Sequence, residues 1–487
     1  MGTFNGNTRD SRFASRGKGT GKQNAPAWKQ VLYSLLLLMD LFLLYTIIMQ
    51  LTHKQMAFET SKEINLMLLA LFALGAAALI WLVIRTCAWK RLACLTLIFA
   101  ILYLTAVFSN IKLVKKYREM WISTAMSTMR HQGLATFYFP HSMVKEITDR
   151  EENGREGQVG VNSSDPVPSG EVIDLDSTDW VEPTGSWAQS EEFQQLTRDQ
   201  KQFYTLFYEL NLESAEAYFQ DHPDAVANGY MHMLVNESSL DSEGTTIRTK
   251  LGEKVLAIDA ENQILLLEVD CDGSRGVLAV AKRPDRLHLF PSAKLPNYGE
   301  TAGAIAKRND GILAMTGSGF LDEGGVGNGG QIAGWAMCGG KTYGSHFGWG
   351  YKRLELHENN WFYIADAYDK VSSDTTDAME FSPALIVDGK KLDPGIWTSE
   401  NPRACIGQSE RGEILMLCVE GRTLSSPGCS VDVCADVMLQ HDGRTALNCD
   451  GGTTAIMWYR GEPVIRCSNS AIPQGRYLPN AWVYVGE

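Results

Sequence analysis

Three long apolar runs fill much of the first quarter of the chain, at residues 31–50, 64–84 and 92–111. Each is close to the roughly 20 residues that a helix needs to cross a bilayer. No small-residue cleavage pattern follows the first run and two more come soon after it, so the pattern predicts three retained transmembrane helices. Arg9, Arg12, Arg16, Lys18, Lys22 and Lys29 precede the first run against a single Asp10, and Arg85, Lys90 and Arg91 sit between the second and third. Basic flanks stay on the cytoplasmic side, so three spans leave the long C-terminal part extracytoplasmic. Lys112, Lys115, Lys116 and Arg118, just past the third run, pull the other way, one cluster against two. Asp40 lies inside the first run, where a carboxylate is costly. It is expected to be protonated and packed against a neighbouring helix.

Beyond the apolar runs the pattern changes twice. Residues 111–143 are amphipathic and aromatic, a helix leaving the membrane. Residues 148–199 are acidic and carry Pro166, Pro168 and Pro183 with few branched apolar side chains, which predicts a flexible linker. Residues 200–220 have helical periodicity, stopped at His222-Pro223. From Gly244 short β-rich runs alternate with Gly, Asn and Asp turns: 246–250, 254–259, 263–270 and 276–281. A helix is expected over 300–308 and a strand over 312–316, then a glycine-rich loop over 321–343. Its Gly325–Gly329 stretch is no dinucleotide fingerprint, because no helix signal follows. His346, Phe347 and Trp349 either stack on sugar faces or pack inward. Further strands are expected over 353–366 and 384–387, and a last one over 480–485 closes the sheet. The organisation expected is a basic tail (1–30), three transmembrane helices (31–111), a juxtamembrane helix and linker (112–199), a helix with a β-rich lead-in (200–275), and a catalytic domain (276–487). The fold class is α+β, with a mixed β-sheet.

Residues 413–454 concentrate the chemistry. An apolar strand over 413–419 lies between Gly412 and Gly421. Ser425 or Ser426 is expected to cap a helix whose apolar positions are Val431, Cys434, Ala435, Val437 and Met438. His441-Asp442-Gly443 ends it, and a second strand covers 445–449. Strand, helix and strand read as a βαβ unit with parallel strands and a right-handed crossover. Arg422, Asp450 and the helix N-terminus then meet at the carboxyl edge of the sheet, where open sheets bind ligands. Gly451 and Gly452 let backbone approach a ligand.

Charge and composition narrow the function. The 487 residues carry a formal net charge of -13, and the outer part has no basic stripe, so nucleic acid is not expected as a partner. No zinc spacing, nucleophile elbow or HExxH occurs; no metal and no cofactor are expected. Eight of the 10 cysteines lie in the outer part, a number that permits disulfides or buried thiols. Arg422 suits an anionic oxygen, Arg403 is a second cation, and Asp450 is the best acid, base or nucleophile. A second carboxylate would come from Asp432, Asp322 or Glu323.

Several blocks in order resemble the phosphodiester glycosidase family. They are Gly299–Asn309 with Ile312–Phe320, Asn401-Pro402-Arg403 with Ile406-Gly407, Val419-Glu420-Gly421-Arg422, Asn448-Cys449-Asp450-Gly451-Gly452-Thr453-Thr454, and Arg476 before Asn480-Ala481. Together they span roughly residues 276–487. Thr316, Glu420 and Thr453 stand where the family pattern has Asn, Asp and Gly. The resemblance implies hydrolysis of a sugar-1-phosphodiester, with Asp450, Arg422 and Arg403 catalytic. Substrate contacts are expected from Asn448, Gly451, Gly452, Thr453, Thr454, Asp432, Asp322 and Arg476. With the membrane helices, the expectation is an anchored extracytoplasmic glycosidase at the plasma membrane. Its partners are the lipid bilayer and a phosphodiester-linked sugar or cell-surface glycopolymer such as an exopolysaccharide. A non-catalytic glycan-binding or polymer-assembly protein is the alternative, and transfer in place of hydrolysis a third.

Overall fold

The computed structural model describes residues 26–53, 62–85, 89–127, 132–136, 138–166, 186–322, 326–348, 350–392 and 399–486. The basic tail up to residue 25, the acidic stretch 167–185, Glu323, Gly325, Trp349 and Cys87 lie outside them. The chain divides into two compact units, Met1–Lys115 and Lys116–Glu487.

The first unit contains the helices Ala27–His53, Lys62–Arg85 and Trp89–Phe108. Among the described residues two stretches, Ala27–Tyr45 and Leu66–Arg85, are long and apolar enough to cross a membrane. A third span is reached only if Leu97–Phe108 and Lys112–Met126 count as one broken span. Large apolar side chains such as Leu71, Leu74 and Trp81 point outward, as a lipid solvent requires. Asp40 packs against Gly75, where a Cβ would stand only 3.1 Å from its Oδ1.

Among the described residues the second unit has three antiparallel sheets, with helices such as Val431–Gln440 on the outer face of the largest and Ala302–Arg308 against another. Its central sheet has nine strands, in the order Leu234–Asn236, Lys254–Asp259, Ile264–Cys271, Ser274–Ala281, Ile414–Val419, Arg403–Ser409, Gly443–Asn448, Ala384–Val387 and Lys390–Lys391. Side chains alternate across a strand. In Ile414–Val419 the odd positions Leu415, Leu417 and Val419 join one core, under the helices. Ile414, Met416 and Cys418 join the other, shared with the two five-stranded sheets. A strand buried on both faces has to be apolar throughout, which is why it is so legible in the sequence.

Several expectations are corrected. Every strand pairing among the described residues is antiparallel, so the sheet is not mixed. Ile414–Val419 and Gly443–Asn448 do point the same way, but Arg403–Ser409 lies between them and pairs with both. The adjacent parallel pair of a simple βαβ unit is therefore not formed. The helix of this unit is Val431–Gln440, capped by Ser430 rather than Ser425 or Ser426. The expected 200–220 helix is two helices, Arg198–Leu206 and Leu212–Asp221, each with its own cap at Thr197 and Asn211. Residues 246–250 form only isolated bridges. Residues 353–366 are a hairpin of Lys352–His357 and Phe362–Asp366. Asn480–Val485 matches its expected bounds but is interior to a second sheet, between Gly311–Thr316 and Leu287–Pro291.

Part of the expected linker is built into the unit. Residues 141–156 are the helix His141–Glu156. Beyond it Gln158 donates to the Ala384 carbonyl (2.9 Å) and accepts from the Ala384 N–H (3.0 Å). Ser163 and Ser164 bond to Ile364 and Asp388. These polar groups are spent on sheet edges, not on solvent.

Candidate active site

Register fixes where the site lies. Arg403 pairs with Val419, and Cys405 pairs with Asn448. The amino end of one strand and the carboxyl ends of its two neighbours thus share one edge. Residues 420–422 leave that edge from one strand, and Cys449 and Asp450 leave it from the other.

Arg422 has φ 63°, in the left-handed region that a side chain seldom occupies. Its N–H donates to the Pro427 carbonyl (2.9 Å) and the Thr423 N–H to that of Ser426 (3.1 Å), so residues 422–427 make a tight projecting turn. Only glycine fits at 428, where φ is 112° and a Cβ would stand 2.5 Å from the Asn401 backbone. That turn aims the Arg422 guanidinium back over the glycines. It donates to Thr453 Oγ1 (3.0 Å) and to Asn401 Oδ1 (3.1 Å). A Cβ at Gly452 would stand 2.9 Å from Arg422 Nη2, so the glycine makes room for the cation. Arg422 is exposed and Asp450 partly exposed, and the guanidinium lies against Gly452, two residues beyond the acid, which makes this edge the candidate mouth.

Asp450 donates its N–H to the Gly317 carbonyl (3.3 Å), and its Oδ1 accepts from the Gly451 N–H (3.0 Å). Burial of the carboxyl pushes it up to about 6; the Thr454 hydroxyl, Arg476 and the Gly451 N–H pull it back, and the Asp322 charge adds to the rise. Arg476 forks onto Asp322 at 2.6 and 2.8 Å, over the Phe320 ring at 4.6 Å. One carboxyl raised by burial thus sits near another held in an ion pair, two environments that push their titrations apart.

Not all of the expected residues reach this mouth. The structure brings Asp450, Gly451, Gly452, Thr453, Arg422, Arg476 and Asp322 together. Arg403 is buried, and its guanidinium donates to the carbonyls of Ser399 (2.6 Å) and Cys429 (3.0 Å) and to the Ser399 hydroxyl (2.9 Å). Asn448 is buried and donates to the Ser382 carbonyl (3.0 Å). Thr454 donates to the Gly451 carbonyl. Asp432, in the first turn of Val431–Gln440, pairs with Lys391 (2.8 Å). Thr316 donates to the Thr454 carbonyl (2.6 Å) and accepts from the Ile456 N–H (3.2 Å), and Glu420 accepts from Arg275 (2.8 Å); both departures from the family pattern serve the frame.

Two groups in the mouth were not singled out from the sequence. Asn401 orients Arg422, and Cys467 lies close enough for both Arg422 and Arg476 to act on its thiol, which burial pushes up. The eight outer cysteines all carry free thiols; seven are buried and Cys467 is not. That exposure is the one property that separates it, and no spacing rule reports it.

Comparisons with known proteins agree with the sequence blocks. Residues 304–485 match the family model described as phosphodiester glycosidase. Comparison with curated proteins finds no match. Among solved structures, one similar chain is the zebrafish N-acetylglucosamine-1-phosphodiester alpha-N-acetylglucosaminidase catalytic domain auto-inhibited by its pro-peptide. It is 14% identical, with 46% of this chain and 82% of that one covered at a TM-score of 0.38. A hypothetical protein from Synechocystis is 14% identical, covering 49% and 65% at 0.34. An exported protein from Burkholderia pseudomallei is 13% identical, covering 46% and 74% at 0.32. The chain therefore carries, over residues 304–485, a domain of the phosphodiester glycosidase family.

Proposed function

We propose that the protein is a membrane-anchored extracytoplasmic glycosidase that hydrolyses sugar-1-phosphodiester bonds of a cell-surface glycopolymer. The observation that carries this reading is the mouth itself: the Asp450 carboxyl, with the Arg422 guanidinium over the glycines that follow it and Arg476 forked onto Asp322. In this reading the apolar helices Ala27–His53, Lys62–Arg85 and Trp89–Phe108 form the anchor, three crossings that leave the domain outside. Asp450 takes a proton from water as its oxygen attacks the anomeric carbon. The bond from that carbon to the phosphate oxygen breaks, and the electron pair leaves on the phosphate. Arg422 and Arg476 stabilise the charge gathering there. Such a leaving group needs no protonation, which frees Asp450 to serve as the base. Arg403 has a supporting role in this scheme: it ties Ser399 to Cys429 and so holds the wall on which Asn401 presents Arg422.

The test is product analysis with the full-length protein and a sugar-1-phosphodiester. Hydrolysis releases free sugar and phosphomonoester in equal amounts. Tight binding without turnover would favour a glycan-binding protein, and a new diester formed from an added alcohol would favour transfer. Within this reading Arg422→Lys should lower kcat/KM about 100-fold, roughly 3 kcal/mol, because a lysine keeps the charge and loses the fork. A change under threefold would remove Arg422 from the phosphate site.

A further inference from the structure

The helix Lys112–Met126 has two unlike faces. Ile122, Ser123 and Ala125 are buried, in a small core shared with Val144 and Ile147. Tyr117 (57% exposed) and Trp121 (53%) stand outward one turn apart, and Leu134 (43%) joins them, its carbonyl accepting from Trp121 Nε1 at 3.1 Å. Lys112, Lys115, Lys116 and Arg118 punctuate the same helix, which begins four residues after the apolar helix Trp89–Phe108 ends. Tyrosine and tryptophan interleaved with basic residues is the composition of a helix lying in a lipid headgroup layer. It also explains the basic cluster that opposed the orientation drawn from the other flanks, since such residues are drawn to anionic lipid on either side.

The same helix, with Ser127 directly after it, is wired to the mouth. Thr124 Oγ1 accepts from the Glu400 N–H (3.0 Å), and Ser127 Oγ accepts from Asn401 Nδ2 (3.0 Å). Asn401 Oδ1 in turn receives Arg422. Two hydrogen bonds thus separate the exposed helix from the cation that would hold the phosphate.

We propose that the Tyr117–Trp121 face seats on an anionic lipid surface and holds the mouth at headgroup depth, so that the substrate is a sugar-1-phosphodiester whose aglycone is a membrane-embedded lipid. The substrate half rests on the hydrolysis proposed above. A phosphate joining sugar to lipid lies at that same depth, which is where Arg422 would meet it.

The test uses the full-length protein in vesicles of phosphatidylglycerol and phosphatidylcholine. Brominated lipid should quench wild-type tryptophan fluorescence more than that of Trp121→Phe. The wild type should also turn over a sugar phosphodiester on a long isoprenoid at least tenfold faster than one on a short alcohol. Tyr117→Ser/Trp121→Ser should lose that preference and keep turnover of the soluble substrate within twofold. Equal quenching in wild type and Trp121→Phe, or a preference that survives the double substitution, overturns the proposal. Turnover of neither substrate by a wild type that is quenched overturns hydrolysis and supports the lipid seat.

Discussion

Asp450→Asn should abolish turnover, at least a 1,000-fold loss, and at the same time make the folded protein more stable at pH 7.5. Both effects have one cause. The carboxyl is pushed from its ordinary value of 3.8 to about 6, chiefly by burial. A base with a pKa just below the working pH is ionised and still able to take a proton. Its kcat/KM should therefore fall about tenfold per pH unit below 6 and level off above it. The same shift is a stability cost. Between pH 3.8 and 6 the folded chain holds a proton that the unfolded chain has lost, so stability falls as pH rises through that window. The accumulated penalty above pH 6 is about 3 kcal/mol by order of magnitude. Asparagine never ionises and still accepts from the Gly451 N–H. Its advantage should be largest above pH 6, shrink as pH falls through the window, and vanish below pH 3.8. Denaturant melts at pH 7.5 and 4, read beside sugar release, check both halves. An inactive variant no more stable than wild type would mean that Asp450 is not desolvated. A stable variant with full activity would remove it from the chemistry.

Much of this site was legible because its framework is local. Residues 413–419 and 480–485 are apolar runs that match their strands to within a residue. Arg422 and Asp450 come after Ile414–Val419 and Gly443–Asn448, which point the same way on either side of Arg403–Ser409, so both leave the same edge although the expected adjacent pair is not formed. What was hidden is non-local. The intervening Arg403–Ser409 strand is fixed by pairing, and no periodicity reveals a neighbour in a sheet. The Arg476–Asp322 pair joins positions 154 residues apart. Arg403 and Asn448 look like ligand-binding residues in sequence, because a motif records their presence and not their direction. In the fold both are consumed by carbonyls. The helix start was misplaced because residues 422–427 turn back on themselves before Ser430 caps it, and serines at 425 and 426 imitate a cap.

Lys282→Met should be the most destabilising single change outside the mouth, about 3–5 kcal/mol at pH 8, because it leaves two buried carboxylates facing each other without their cation. Lys282 bonds Glu209 and reaches Glu413 Oε1 at 2.8 Å, with its side chain 4% exposed and each carboxylate 9%. Glu413 has further donors in Tyr208 (2.9 Å) and Ser409 (2.9 Å), whereas Glu209 Oε2 has no partner. Burial raises the Glu209 carboxyl; Lys282 and these donors overcome burial and keep Glu413 low. In the variant, falling pH protonates one carboxyl and relieves the repulsion, so the deficit should shrink steadily from pH 8 to pH 5. Glu209→Gln keeps the Lys282–Glu413 pair and should cost less than about 1 kcal/mol. The trio ties residue 209, between the two helices before the β-rich lead-in, to the strands that end at Ala281 and begin at Ile414. The segment before residue 276 is then part of the same framework: Ile264–Cys271 pairs along Ser274–Ala281, which pairs along the whole of Ile414–Val419, the strand that leads to Arg422. A Lys282→Met protein that melts within 1 kcal/mol of wild type at pH 8 would show that the trio is not what joins them.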